Sequence, residues 1–180
     1  MLADLGATVI NADTVGHEVY LPNSQGWLRV VDAFGRGILA ADRTIDRKQL
    51  GALVFANPEA LKRLNAIVHP LIFDEIRRRI VLQRNTGATQ PIVVEAAVLI
   101  EANWRALVDE VWLVVAPTTA VVERLGTQRG LCAEEVAKRV GAQLSDDERR
   151  RFADVVIENI DSMDELRARV RDVWRRRVGA

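Results

Sequence analysis

Gly6-Ala-Thr-Val-Ile-Asn-Ala-Asp-Thr-Val-Gly-His-Glu-Val-Tyr20 is the stretch on which the fold class turns. Residues 7–10 make a short apolar run of strand character, stopped by the polar Asn11, and a helical pattern follows at once. That junction delivers Asp13 to the carboxyl end of the strand. In open α/β sheets, ligands bind in the crevice outside the carboxyl ends of the strands. Asp13 therefore stands where chemistry is commonly done.

Ahead of this stretch, residues 1–5 read as the last turn of a helix, with Gly6 as its stop. Five residues cannot both nucleate and end a stable helix, so the sequence as given is expected to open partway through an element. Beyond Tyr20, Pro22-Asn-Ser24 interrupts the pattern. Residues 25–34 form an amphipathic helix with Trp27, Val30, Val31 and Phe34 on one face, ended by Gly35 and Gly37. Asp46 is placed to cap a helix over 47–55. Asn57-Pro58 opens another, with Leu61, Leu64, Ile67 and Val68 at helical spacing. His69-Pro70 punctuates it, and a further helix runs to about residue 84. No strand is predicted over 22–86, which reads as a helical excursion inserted into an α/β pattern.

The strands then resume. Residues 91–95 form a buried strand ending in Glu95, residues 111–115 a third, and residues 154–157 a last one ending at Glu158-Asn159. Helices are predicted over 117–128 and 162–178. Between them lies a basic helical segment from Arg129 to Arg151, with Gly130 as a hinge. Strands alternating with helices imply a parallel sheet, and 180 residues suit one domain.

Lys and Arg total 25, as do Asp and Glu, so no global field draws nucleic acid or an anionic membrane. An anionic ligand must be caught by local clusters instead. The single Cys132 excludes an internal disulfide and a cysteine-based zinc site, and suits a reducing compartment. No apolar run is long enough to span a bilayer, and the first residues lack the basic and apolar regions of a signal peptide. The expected location is the cytoplasm, with no membrane or nucleic-acid partner.

Several residues carry chemistry in this pattern. Asp13 could accept a hydroxyl proton while that oxygen attacks phosphorus, or it could simply cap the helix that follows. His17 has no second histidine at a metal-binding spacing and reads as a surface or packing residue. His69, next to Pro70, is expected to be exposed at a helix start, where backbone N–H groups favour anions. Glu95, at a strand end, resembles acids that hold Mg²⁺ or its waters in phosphate-transfer enzymes; an ordinary strand-end acid is the alternative. Glu101 reads as structural. Arg129 and Arg139 could clamp phosphates from a mobile basic lid, or form a solvated helix face. Arg149, Arg150 and Arg151 read as such a face. Asn159 could be a turn residue.

The ordered set is more specific than any of its members. Gly6-Ala-Thr-Val-Ile-Asn-Ala-Asp13 is followed by Thr44-Ile-Asp-Arg-Lys-Gln-Leu-Gly51 and Leu64-Asn-Ala-Ile-Val-His-Pro-Leu-Ile72. Val94-Glu-Ala-Ala-Val-Leu-Ile-Glu101 comes next, then Arg124-Leu, Arg129, Arg139 and Gln143, and finally Asp154-Val-Val-Ile-Glu-Asn159. In this order, over almost the whole chain, the sequence resembles the dephospho-CoA kinases. The resemblance implies a phosphate-loop (P-loop) kinase fold: a three-layer parallel sheet, a helical acceptor-binding insertion over about 22–86 and a helical lid over about 125–151. It implies transfer of phosphate from ATP, with Mg²⁺, to the ribose 3′-hydroxyl of dephospho-CoA. By the same resemblance Asp13 is the base and His69 lies in the acceptor-binding region. Arg129 and Arg139 reach the ATP phosphates, Asn159 lies near the adenine, and Glu95 touches the metal shell indirectly.

The chain departs from that family at three places. Asn11 stands where the family usually has Asp. Glu95 replaces the family's usual Asp, keeping the charge with a longer reach. The third departure is a missing motif: no G-x-x-x-x-G-K-[ST] occurs in the sequence. The expectation is that the first strand, loop and helix, roughly twenty residues, belong before Met1. The 180 residues alone would then be inactive and poorly stable. The rival expectation is a non-catalytic CoA- or nucleotide-binding remnant of such a kinase.

Overall fold

The structure, a computed structural model, describes residues 1–129 and 144–179. The chain divides into two compact units, Val9–Ala97 and a second made of Met1–Thr8 with Val98–Ala180.

In the Val9–Ala97 unit, strand β1 (Thr8–Asn11) runs directly into helix α1 (Ala12–Glu18). Asn11 keeps extended backbone while its side chain accepts the Thr14 N–H, so one residue ends the strand and caps the helix. Ala12 and Val15 face inward three apart on α1. Helix α2 (Gln25–Phe34) is capped by Ser24 and buries Trp27 and Val30. The Trp27 indole N–H, which burial would otherwise orphan, donates to the Arg43 carbonyl at 2.8 Å. Helix α3 (Arg47–Phe55) starts at Asp46, whose carboxylate accepts the Lys48 and Gln49 N–H groups as expected. It buries Leu50 and Val54, one turn apart.

Helix α4 (Pro58–Asn85) begins at Asn57-Pro58 as predicted, with Asn57 as its cap, but does not break at His69-Pro70; it is one helix of 28 residues. Val68, Ile72, Ile76 and Ile80 recur every four residues along its buried stripe. Each such side chain contributes about 1.5–3 kcal/mol by leaving water. Pro70 removes a single i→i−4 bond at about 3 kcal/mol and lies exposed, on the face away from the stripe. Burial continuing across the proline outweighs the local penalty. Strand β2 (Ile92–Glu95) then pairs with β1.

In the second unit, residues Ala3–Leu5 form a 3₁₀ turn and Gly6 stops it at φ 96°, a left-handed conformation open to glycine. Strand β3 (Trp112–Val115) pairs in parallel with β4 (Val155–Glu158), Trp112 opposite Val155 and Val115 opposite Glu158. Helix α5 (Thr118–Arg129) follows β3, and α6 (Asp146–Arg150) precedes β4. The closing helix α7 (Met163–Arg177) starts in a capping box between Ser162 and Glu165. It packs Leu166, Val170 and Val173 on Ile157, with Leu2, Leu5, Trp112 and Val155 at the margin. Trp174 meets Trp112 edge to face, with centroids 6.5 Å apart. The Arg-rich face of α7 is the exposed side of an amphipathic helix.

The architecture is α/β, with parallel strands and flanking helices. The four described strands form two two-stranded sheets, β1-β2 and β3-β4, where the sequence reading expected one continuous sheet. Among the described residues no further strand bridges the two pairs. No described helix is long and apolar enough to cross a membrane.

Candidate functional site

The carboxyl ends of β1 and β2 lie side by side, because their last residues touch. The Asn11 Nδ2 donates to Glu95 Oε2 at 3.2 Å, while its Oδ1 accepts the Thr14 N–H at 3.0 Å. Asp13, one residue into α1, is exposed and makes no hydrogen bond or ion pair among the described residues. The alternative of a capping aspartate is thereby decided: Asn11 is the cap. Asp13 sits in the first turn, where the helix dipole favours a negative charge, and its carboxylate can receive a proton. His17 lies exposed in the last turn of the same helix.

Helix α1 is held on the middle of α4. A Cβ on Gly16 would lie 3.4 Å from Ile72 Cδ1, so α1 approaches α4 closely just after His69. Arg79 ties the two helices by pairing with Glu18 of α1, and pairs with Glu75 at 2.8 Å. His69 is half-buried inside α4, which corrects the expectation of an exposed residue at a helix start. It faces no free helical N–H groups, because α4 continues through it. Burial lowers its pKa from 6.5 and so favours the neutral ring, which donates from one nitrogen and accepts at the other.

Glu95, at the end of β2, is exposed, and Asn11 is its one hydrogen-bond partner among the described residues. Asp13 and Glu95 are hard oxygen donors of the type Mg²⁺ takes, and Mg²⁺ usually keeps several waters. The donor chemistry therefore fits that ion through water. The described residues assemble no group of three or more His, Cys, Asp or Glu for direct capture of a metal.

In the second unit, Asn159 follows β4 and its N–H donates to the Val115 carbonyl at 2.8 Å, extending the ladder. Beside it, Arg169 donates to the Glu158 carbonyl at 2.8 Å and pairs with Asp161, and Arg150 lies 3.6 Å from Glu158. A cleft of about 250 Å³ runs here between β4 and α7, lined by Arg150, Glu158, Arg169, Asp172 and Arg176. Glu101 is structural, as read from the sequence: it pairs with Arg149 at 2.6 Å and accepts the Leu144 N–H. Burial raises the Glu101 pKa, but the Arg149 and Leu144 hydrogen bonds outweigh it and the net shift is downward. Arg149 is thus no solvated face residue, being only 16% exposed in this pair. The Arg129 side chain, Cys132, Arg139 and Gln143 lie outside the described residues.

Sequence reasoning took Asn11 only as a polar stop and a family departure, and missed its two side-chain bonds. A local signal was present, since asparagine before a helical pattern is a preferred cap, but its bond to Glu95 spans 84 residues.

The dephospho-CoA kinase family model matches residues 1–165. A dephospho-CoA kinase from Dehalococcoides mccartyi is 39% identical over 177 residues, covering 98% of this chain and 88% of the relative. One from Symbiobacterium thermophilum is 39% identical over 179 residues, covering 99% of this chain and 74% of the relative. Among solved structures, TT1252 from Thermus thermophilus superposes with a TM-score of 0.75 at 29% identity, covering 98% of this chain and 87% of that one. Dephospho-CoA kinase from Campylobacter jejuni superposes with a TM-score of 0.69 at 26% identity, covering 98% and 88%. A strand-end acid freed from capping, an acid at the adjoining strand end and this similarity along the chain agree, and the chain belongs to the dephospho-CoA kinase family.

Proposed function

We propose that these residues carry the acceptor, base and lid parts of an ATP-dependent phosphotransferase that makes coenzyme A from dephospho-CoA. Asp13 receives the proton of the ribose 3′-hydroxyl as that oxygen bonds to the γ-phosphorus of ATP. The bond from phosphorus to the bridging oxygen breaks, and ADP leaves. Glu95 would hold the waters of Mg²⁺, which when bound neutralises charge on the phosphates. His69 would hydrogen-bond the acceptor, and the helical segment 22–86 would hold the CoA moiety. Arg129 and Arg139 would reach the ATP phosphates from a lid over 125–151, and Asn159 would lie near the adenine. The fold would be the three-layer sheet of the phosphate-loop kinases, working in the cytoplasm. The observation that carries this reading is the exposed Asp13 at the carboxyl end of β1, with the cap duty taken by Asn11.

The 180 residues contain no glycine-rich loop ending in Lys-Ser or Lys-Thr. The test is therefore made on two polypeptides: residues 1–180 alone, and the same residues preceded by the strand, phosphate loop and helix of a family member. Dephospho-CoA-dependent ADP release is expected from the second and not from the first. Release by residues 1–180 alone overturns the need for the loop. Binding of CoA without release by the second polypeptide favours the non-catalytic reading.

A further inference from the structure

We propose that Asn11 is a positioning residue that sets the Glu95 carboxylate at the joined ends of β1 and β2. A primary amide has one acceptor oxygen and one donor nitrogen, and both are committed here. The oxygen faces the Thr14 N–H at 3.0 Å and the Thr14 hydroxyl at 3.4 Å. A backbone N–H can only donate, so the oxygen must lie on that side and the NH₂ must turn toward β2. There it meets Glu95 Oε2 at 3.2 Å. The capping bond thus fixes the direction of the second bond. Asn11 takes its backbone from the end of β1 and its rotamer from α1, and passes both constraints to a side chain on β2.

Glu95 needs that constraint. It is exposed, has three rotatable torsions, and no other described group holds it. Left alone, its carboxylate would sample many positions in water, and ordering it would have to be done on binding. Aspartate at position 11 would cap α1 as well but would set a second carboxylate against Glu95 in place of the amide N–H donor. Serine would cap as well but is too short to reach across. Only an amide of this length does both tasks. The proposal rests on the reading of Glu95 as the residue that holds the waters of Mg²⁺.

The test uses the full chain in the form that supports transfer. The NH₂ resonances of Asn11 are followed by ¹⁵N–¹H NMR in the unaltered protein and in Glu95→Ala. The bond predicts that removing the carboxylate moves them toward the free-amide position while the Thr14 backbone amide stays in place. Asn11→Ser keeps the cap, so its melting temperature should stay within a few degrees. The Mg²⁺ concentration for half-maximal rate should rise several-fold, with the KM for dephospho-CoA unchanged. In a Glu95→Ala background the same Asn11→Ser change should have no further effect on Mg²⁺ dependence. Asn11 resonances that ignore Glu95→Ala, or an Asn11→Ser enzyme with unaltered Mg²⁺ dependence beside a Glu95→Ala enzyme with altered dependence, overturn the proposal. Asn11 resonances that respond, in a protein whose Mg²⁺ dependence ignores both substitutions, uphold the positioning of Glu95 and overturn its assigned work.

Discussion

Gly26→Ala tests how α1, which carries Asp13, is set against the rest of its unit. Gly26 is the second residue of α2 and lies against the backbone at the end of α1. A methyl group there would fall inside the van der Waals shell of the Val19 carbonyl oxygen, 3.0 Å from the Val19 carbonyl carbon and 3.1 Å from Leu71 Cδ1. The carbonyl is backbone and cannot rotate away. It also accepts the Ser24 hydroxyl at 2.9 Å, and that same hydroxyl oxygen caps α2 by accepting the Trp27 N–H at 3.0 Å. Relief of the overlap must therefore move α2 off α1 and strain this shared cap. Overpacking costs about 1–3 kcal/mol and a weakened hydrogen bond about 1 kcal/mol, against a gain of up to about 1 kcal/mol from the better helix former. The net loss is about 1–3 kcal/mol, or roughly 2–10 °C in melting temperature for a chain of this size. The assay is urea denaturation followed by tryptophan fluorescence, with the midpoint and slope compared to Gly37→Ala. An added Cβ at Gly37 meets nothing within 4 Å, so that control should lie near the unaltered protein. Equal midpoints for the two variants would refute the argument that Gly26 is required by close backbone approach.

Asp13→Asn, made in a polypeptide that also carries a phosphate loop, should cut turnover on the order of a hundredfold or more while ATP binding stays nearly intact. Turnover within a few-fold of the unaltered enzyme would remove Asp13 from the base role. Pro70→Ala should stabilise the protein by about 1–3 kcal/mol, because it restores a bond of α4 at an exposed position; a lower denaturation midpoint would show that the interruption is needed. Glu75 is held down to about 2 by hydrogen bonds from Arg78 and Arg79. Its folded pKa lies below the ordinary 4.5, so its contribution is present above pH 4.5 and lost as pH falls toward 2. Solvent screening limits that contribution to about 1 kcal/mol. Glu75→Gln should lower the denaturation midpoint at pH 7 and converge with the unaltered protein near pH 2; a constant difference across that range would exclude the linkage.

What could be read from the sequence was what the chain decides within a few residues. The caps at Asp46 and Asn57 sit within one turn of the N–H groups they satisfy, so local chemistry named the starts of α3 and α4. The placing of Asp13 just past β1 and of Glu95 at the end of β2 followed from short apolar runs that stop at Asn11 and at Glu95. Tertiary structure decided the rest, because the groups involved are far apart along the chain. Pro70 is a break by propensity, yet Val68, Ile72, Ile76 and Ile80 carry α4 across it once there is a core to bury them in. His69 is half-buried because that same helix runs through it, and burial lowers its pKa. Arg149 looked like one of three solvated arginines until Glu101, 48 residues away, was found against it. Asn11 was legible as a polar stop, but its hold on Glu95 required the two strand ends to meet. Hydrogen bonds across such separations depend on which backbone atoms the fold brings within about 3 Å, and residue type alone does not encode that.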